Sequence, residues 1–372
     1  MDIDAALLDA AGAPFRLTTL TLDEPGPHEV RVALAASGVC ASDAHSRSGR
    51  IPSPLPCVLG HEGAGVVESV GADVTSVVPG DHVALSWMPS CGRCRHCVAG
   101  RPVLCSAAAP ALLAGTMLDG TVRLHDGDRD VHHYSFLSTF GTSTVVPEAS
   151  AVRIPESVPL ASAALAGCAV LTGYGAVVNR ARLEPGQSIV VFGAGGVGLS
   201  AVMGARLSGA AHIIVVDPVA EKCATAIDFG ATAALAPDED LVARIRSMTG
   251  GEGADVAIDA VGAPGILDTA FAATVRGGTI VCVGVPGPEA RPSLPGPDLV
   301  RSERIVTGSL YGSSRPTVDI PRVLELQQRG LLPIERLVSR TYRLDEINAA
   351  FDDLEAGRLS RGVIVHDDAT AW

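Results

Sequence analysis

Basic side chains are scarce in this sequence. Its 372 residues carry 28 Lys and Arg against 41 Asp and Glu, a net charge of −13, so no excess of positive surface is available for a phosphate backbone or an anionic lipid. Neither nucleic acid nor a membrane is an expected partner. Charge of either sign is modest at 19%, while hydrophobic residues reach 47%. That composition excludes an extended disordered chain and supplies enough apolar surface for a packed core. The opening MDIDAALLDAAGAPF lacks the basic and then apolar pattern of a secretory signal, and no charge-free apolar stretch is read as long enough to span a bilayer. A cytoplasmic globular protein of two or more folded units is the expectation. In a reducing compartment, clustered thiols are metal ligands more often than disulfides.

What is present is concentrated in a few places. The segment CGRCRHCVAGRPVLC, residues 91–105, holds four of the nine cysteines, with Cys91, Cys94, Cys97 and Cys105 spaced C-x2-C-x2-C-x7-C. Gly92, Gly100 and Pro102 let the backbone wrap so that the sulfurs converge. Four thiolates in a tetrahedron describe a closed structural zinc site, which has no open position for chemistry. An iron–sulfur cluster or four unrelated buried thiols fit the same spacing. Reactive groups are therefore sought elsewhere. In GHEGAGVVESVGADV, Gly60, His61 and Glu62 precede a strand-like alternation. In GVCASDAH, Cys40, Ser42, Asp43 and His45 follow the apolar strand EVRVALAASGV. Cys168, in LAGCAV, has no thiol neighbour in sequence. Taken alone, the His–Glu pair also reads as a satisfied loop pair, Ser42 as a helix cap and His45 as a surface residue.

A different signal starts at Gln187. The stretch QSIVVFGAGGVGLSAVMGARLSGAAHIIVVD reads strand, glycine turn, helix, strand, acid, with Gly193, Gly195 and Gly198 in G-x-G-x-x-G and Asp217 nineteen residues beyond. The first glycine makes the turn, the second lets backbone approach a pyrophosphate, and the third lets the helix pack close to the strand, its positive N-terminus facing the phosphates. Flanking strand and acid make this a strong dinucleotide signal. Asp217 can accept from both adenosine ribose hydroxyls and would repel a 2′-phosphate, which favours NAD over NADP; Lys222 can reach the same ribose. The runs ADVAIDAVG and GGTIVCVGVP continue the alternation of a doubly wound sheet.

In GVCASDAH, GHEGAGVVESVG, the four-cysteine segment, LAGCAVLTGYGA, VVFGAGGVG and GRLSRGVIV, all in order and over essentially the whole length, the chain resembles the zinc-dependent medium-chain alcohol dehydrogenases. The resemblance implies an α/β protein with two parts. A GroES-like, mainly β catalytic domain would take residues 1–169 and 315–372, and a Rossmann domain with a doubly wound parallel sheet residues 170–314. It implies two zinc ions per chain, one structural on the four-cysteine segment and one catalytic on Cys40, His61 and Cys168, whose fourth position stays open to water or the substrate oxygen. Ser42 would take the alcohol proton and pass it through the nicotinamide ribose to His45, Asp43 would orient His61, and Glu62 would act as an electrostatic partner behind the metal. NAD would lie on Gly193, Gly195, Gly196, Val197 and Gly198, with Asp217 and Lys222 at the ribose and Arg361 at the pyrophosphate. The stretch LLAGTMLDGTVRLHDGDRDVHHYSF resembles the long loop of the dimeric branch, which implies a homodimer and a structural use for His132 and His133.

Departures from the family bear on the substrate. Ala41 stands where many relatives carry a basic side chain that helps hold the cofactor phosphates, so weaker NAD binding is expected. Ile51 and Ala109 are apolar where the glutathione-dependent formaldehyde dehydrogenases use charge. Trp87, Tyr134, Ile51 and Leu310 are the candidate pocket walls, and they favour a primary alcohol with a lipophilic or aromatic tail. Trp87 also fits as ordinary core. Two other functions stay open at this point. A formaldehyde dehydrogenase acting on another thiol adduct is suggested by VGVPGPEARPSLP and LQQRGLLPIERLVS, and a non-catalytic NAD-binding homologue is the third reading.

Overall fold

The computed structural model describes residues 1–287, 289–291, 293–366 and 371. Pro288 and Pro292, in the stretch VGVPGPEARPSLP, lie outside the described residues. The chain divides into two compact units, Met1–Cys168 with Arg315–Trp372, and Ala169–Ser314.

The first unit is built from β-structure. A closed barrel runs through Asp2–Leu8, Arg16–Leu22, Leu124–Asp126, Arg129–His133 and Cys57–Val58. The long segment 112–136 thus contributes a hairpin to the barrel, turned at Asp126-Gly127-Asp128-Arg129 with Gly127 at φ 61°. Beside it lies a seven-stranded sheet in the order Ala151–Arg153, His82–Leu85, Gly63–Val70, Glu29–Val39, Arg361–Val365, Val338–Tyr342, with Ser143–Pro147 also pairing to Glu29–Val39. Glu29–Val39 is the axis of this sheet and is buried along most of its length. Its run of Val, Leu and Ala therefore reads as a nearly continuous apolar segment.

The second unit is a six-stranded parallel sheet in the order Ala233–Leu235, His212–Val216, Ser188–Phe192, Ala254–Asp259, Thr274–Cys282, Ile305–Gly308. Counted along the chain this is 3-2-1-4-5-6, the order of a dinucleotide-binding sheet, with its switch point beside Ser188–Phe192. That strand is fully buried, and the glycine turn leads from it straight into the helix Gly196–Leu207.

One sequence expectation needs correction. The helical run Leu160–Ala181 has a mean hydropathy of 1.6 and is long and apolar enough to cross a bilayer. In the fold, 89% of its most apolar window is buried inside protein, so it serves as a core helix. It carries Cys168.

Candidate active site

Three chain segments converge in the first unit. The strand Glu29–Val39 ends at Cys40, which stands at the head of the short helix Ala41–Arg47. His61 and Glu62 lie just before the strand Gly63–Val70, as the alternation implied. Cys168 sits in a π-type turn, Ala166–Val170, within the apolar helical run, a distortion common where a helix must aim a functional side chain. Donor atoms of Cys40, His61, Glu62 and Cys168 all lie within 4.8 Å of one another, and all four residues are buried.

Asp43 organises this cluster. It is fully buried, and its Oδ1 accepts from His61 Nδ1 at 3.0 Å and from the Gly60 amide at 3.1 Å, while Oδ2 accepts from the Cys40 amide at 3.3 Å. A buried carboxylate costs several kcal/mol unless it is paired and hydrogen-bonded, and these three donors meet that need. They also fix the Cys40 and His61 segments to each other. Burial raises the Asp43 pKa against the pull of His61. Burial works against charge on His61, yet Asp43 and Cys40 outweigh it and hold the imidazole well above its usual value.

The two thiols behave as a pair. A hydrogen bond from Cys168 holds the Cys40 thiol well below its ordinary range, and the same bond holds Cys168 well above it. Two sulfurs sharing a proton beside an imidazole fit the donor set that a three-ligand zinc site requires. On the far side, burial pushes Glu62 up to about 7 while Arg361 opposes it; the guanidinium is 3.1 Å from Glu62 Oε1 and also donates to the Val39 carbonyl at 3.1 Å. Arg361 is thus buried against Glu62, a partnership the sequence did not reveal. Sequence reasoning also missed Gly38, where an added Cβ would stand 2.1 Å from Glu62 Oε2. The glycine before the ligand cysteine in SGVC was the available signal.

The other expected residues are placed as follows. Ser42 and His45 lie three apart on the helix Ala41–Arg47, hence on one face. Tyr134 packs its ring edge-on to His61 at 5.6 Å, accepts from Ser46 Oγ at 3.0 Å and donates to the Ser42 carbonyl at 3.4 Å. The Ile51 amide donates to the His45 carbonyl at 3.0 Å, which folds Ile51 back onto that helix. Trp87 is half-buried against the core of Val30, Val32, Val83 and Leu85. Leu310 belongs to the second unit and is 44% exposed.

The four-cysteine segment forms a separate cluster. Cys91, Cys94, Cys97 and Cys105 place their sulfurs within 4.8 Å of one another, with Cys105 buried and the rest half-buried. The Cys94 amide donates to Cys91 Sγ and the Cys91 amide to Cys105 Sγ, both at 3.4 Å. Backbone amides, led by that of Cys97, pull the Cys94 thiol down to about 5, whereas burial pushes Cys97 up to about 12. Four sulfurs at this separation, with amides already aimed at them, fit a closed four-thiolate zinc site.

In the second unit, Gly193 has φ 94°, and a Cβ on Gly198 would stand 1.8 Å from the Gly193 carbonyl oxygen, so both positions require glycine. A Cβ on Gly195 would meet nothing within 4 Å, which leaves open space at the N-terminus of the helix that begins with Gly196 and Val197. Asp217 accepts from the Ala194 amide at 2.8 Å and from the Val219 amide at 2.9 Å, tying the strand end to the glycine turn. Lys222 lies in the first turn of the helix Ala220–Asp228.

Comparison with known proteins agrees with this geometry. Family profiles match twice, as an alcohol dehydrogenase GroES-like domain over residues 26–156 and as a zinc-binding dehydrogenase over residues 196–329. The chain is a member of the zinc-dependent alcohol dehydrogenase family. It is 43% identical to the putative alcohol dehydrogenase D of Mycobacterium tuberculosis over 98% of this chain and 100% of the relative. It is 40% identical to the geraniol dehydrogenase of Castellaniella defragrans over 97% of each. The crystal structure of benzyl alcohol dehydrogenase from Acinetobacter calcoaceticus superposes with a TM-score of 0.94 at 35% identity, covering 99% of this chain and 100% of that one. In this alcohol dehydrogenase the GroES-like unit and the Rossmann sheet are those implied by its motifs, and a small-molecule alcohol or aldehyde is its substrate class.

Proposed function

We propose that the protein uses NAD to interconvert a primary alcohol bearing a lipophilic or aromatic tail and its aldehyde. The observation that carries this reading is the buried convergence of Cys40, His61 and Cys168 with Asp43 behind the imidazole. Zinc held by these three ligands would supply Lewis acidity that lowers the pKa of the substrate hydroxyl, and NAD on the glycine turn and Asp217 would accept the hydride. The chain's own groups do the rest. Asp43 accepts a hydrogen bond from His61 Nδ1–H, which would leave Nε2 free to hold the metal. Ser42, in the first turn of the helix Ala41–Arg47, receives the hydroxyl proton, and His45, one turn on, releases it to solvent. Glu62 stays bound to Arg361 and tempers the charge behind the ligands.

The substrate reading rests on the pocket walls. The Tyr134 hydroxyl is committed to Ser46 and Ser42, so the ring is what remains for a substrate. Ile51 and Trp87, put at the pocket by the family resemblance, would add apolar area and no charge to grip a thiol adduct. The relatives named for geraniol and benzyl alcohol support the same class. The second zinc belongs on Cys91, Cys94, Cys97 and Cys105. A homodimer is supported by the strand Ile305–Gly308, which ends the parallel sheet with Ile305 54% exposed; an unpaired edge of this kind is a template for a second copy, and a monomeric mass by light scattering would remove the assignment.

The test is NADH formation by purified enzyme with benzyl alcohol, hexanol and geraniol, set against formaldehyde with a panel of thiols. Turnover of the free alcohols is expected. Turnover with formaldehyde and a thiol alone would replace this reading by the adduct-dependent one, and NAD binding with no turnover would make the protein a non-catalytic homologue.

A further inference from the structure

We propose that Arg50 is a positioning residue for proton release, donating to the neutral imidazole of His45 so that a proton arriving there is handed to solvent and not stored. The proposal rests on the reading of His45 as the end of the proton path.

Arg50 Nη1 stands 3.4 Å from His45 Nε2. A guanidinium has donors only, so this contact is a hydrogen bond only while Nε2 is an unprotonated acceptor. It selects the neutral tautomer with hydrogen on Nδ1. Protonation of Nε2 turns the same contact into two cations in van der Waals range. The chain builds this encounter by a tight return. The helix Ala41–Arg47 is closed by the Ser48 amide on the Ala44 carbonyl, the Gly49 amide donates to Ser46, and the Ile51 amide donates back to the His45 carbonyl. Gly49 makes the turn at φ 77°, a conformation that favours glycine. Arg50, between Gly49 and Ile51, is thereby delivered over the helix end that carries His45.

The surrounding charges do not cancel the effect. Partial burial lowers the His45 pKa first, Arg50 lowers it further, and Cys40 at the head of the helix pulls the other way, with a net displacement downward. Asp43, on the same helix, is committed to His61, Gly60 and Cys40. From the helix Ile347–Glu355, packed on this one, Glu355 lies 3.8 Å from Arg47. Tyr134, from the barrel side, is engaged with Ser42 and Ser46.

The experiment is a titration of the His45 ring by NMR of the full-length, zinc-loaded protein with labelled histidine, its signal assigned by loss in His45→Gln. Arg50→Gln is expected to raise the His45 pKa by roughly half a unit to one unit, and Arg50→Lys, which keeps a donor-only cation, to hold it near the original value. An unchanged titration in Arg50→Gln overturns the proposal. The pH profile for alcohol oxidation separates it from the relay itself. An acid limb that moves up with the ring supports both, whereas a moved ring with an unmoved limb removes His45 from the proton path and overturns the role of Arg50 in proton release with it.

Discussion

The two cysteine clusters of the first unit have the same reach and opposite construction. Both place their donor atoms within 4.8 Å of one another. The lobe draws its ligands from one contiguous segment, Cys91 to Cys105, leaves three of them half-exposed, and is braced by local amides. The Cys40, His61 and Cys168 cluster draws on a strand end, a strand beginning and a π-turn of a core helix, and all three residues are buried. A local set can be closed only by what it binds. A dispersed set is held by the fold, so it can keep one coordination position open without collapsing. On the proposed function, distance between ligands in sequence would separate the fastening from the chemistry.

Breaking each cluster in turn should give unlike results. Cys168→Ala is expected to remove at least about a thousandfold of alcohol turnover, since Lewis-acid activation contributes several kcal/mol, while circular dichroism and the melting temperature change little. Cys97→Ser should reverse the pattern, with a lower melting temperature and protease cutting within residues 91–105 preceding any loss of activity. Metal analysis is expected to find two zinc ions per chain in the parent and one in each variant. Equal melting temperatures in the two variants would abolish the distinction.

A smaller effect sharpens the contrast through the residue that has no counterpart in the lobe. Asp43→Asn keeps the size of the side chain but weakens its hold on His61 Nδ1 and on the Gly60 and Cys40 amides. Loss of such an outer partner typically costs about 10- to 100-fold in metal affinity or activity. Zinc retention during dialysis against a chelator, read for the two sites separately, should fall for the buried site alone.

Much of this was legible in the sequence because it depends on local pattern. The glycine turn, its acid and the four-cysteine spacing are short-range features whose geometry follows from backbone sterics and ligand count, and Glu29–Val39 is a strand over the full apolar run. The convergence of Cys40 with Cys168 depends on packing across more than a hundred positions, and only the family resemblance suggested it. Arg361 against Glu62, the clash that reserves position 38 for glycine, and Arg50 over His45 are tertiary contacts with no periodic signature. The core helix Leu160–Ala181 shows the converse: its composition fits two environments, and only burial decides between them.

His133 tests whether a buried ligand-type side chain can serve the fold alone. Its Nε2 accepts from the Arg123 amide at 2.9 Å and its Nδ1 lies 3.5 Å from Ser138 Oγ, so a proton on Nε2 would set donor against donor. Burial, reinforced by the Arg123 charge, pushes its pKa down to about 3. An unfolded histidine titrates near 6.5. Between these values the unfolded chain binds a proton that the folded chain refuses, so the stabilisation is complete above the unfolded value and drains away as the pH falls toward the folded one. At about 1.4 kcal/mol per pH unit, the loss from this one group by pH 5 is about 2 kcal/mol. His133→Gln can still accept from Arg123 but does not titrate. Its unfolding free energy, followed by tryptophan fluorescence in urea, should fall less steeply than the parent's from pH 7 to pH 5, by that same amount. Any acid-driven loss of zinc is common to both proteins and cancels in the difference. Parallel slopes would mean that His133 is protonated in the folded chain, and the barrel hairpin would then need another acceptor for the Arg123 amide.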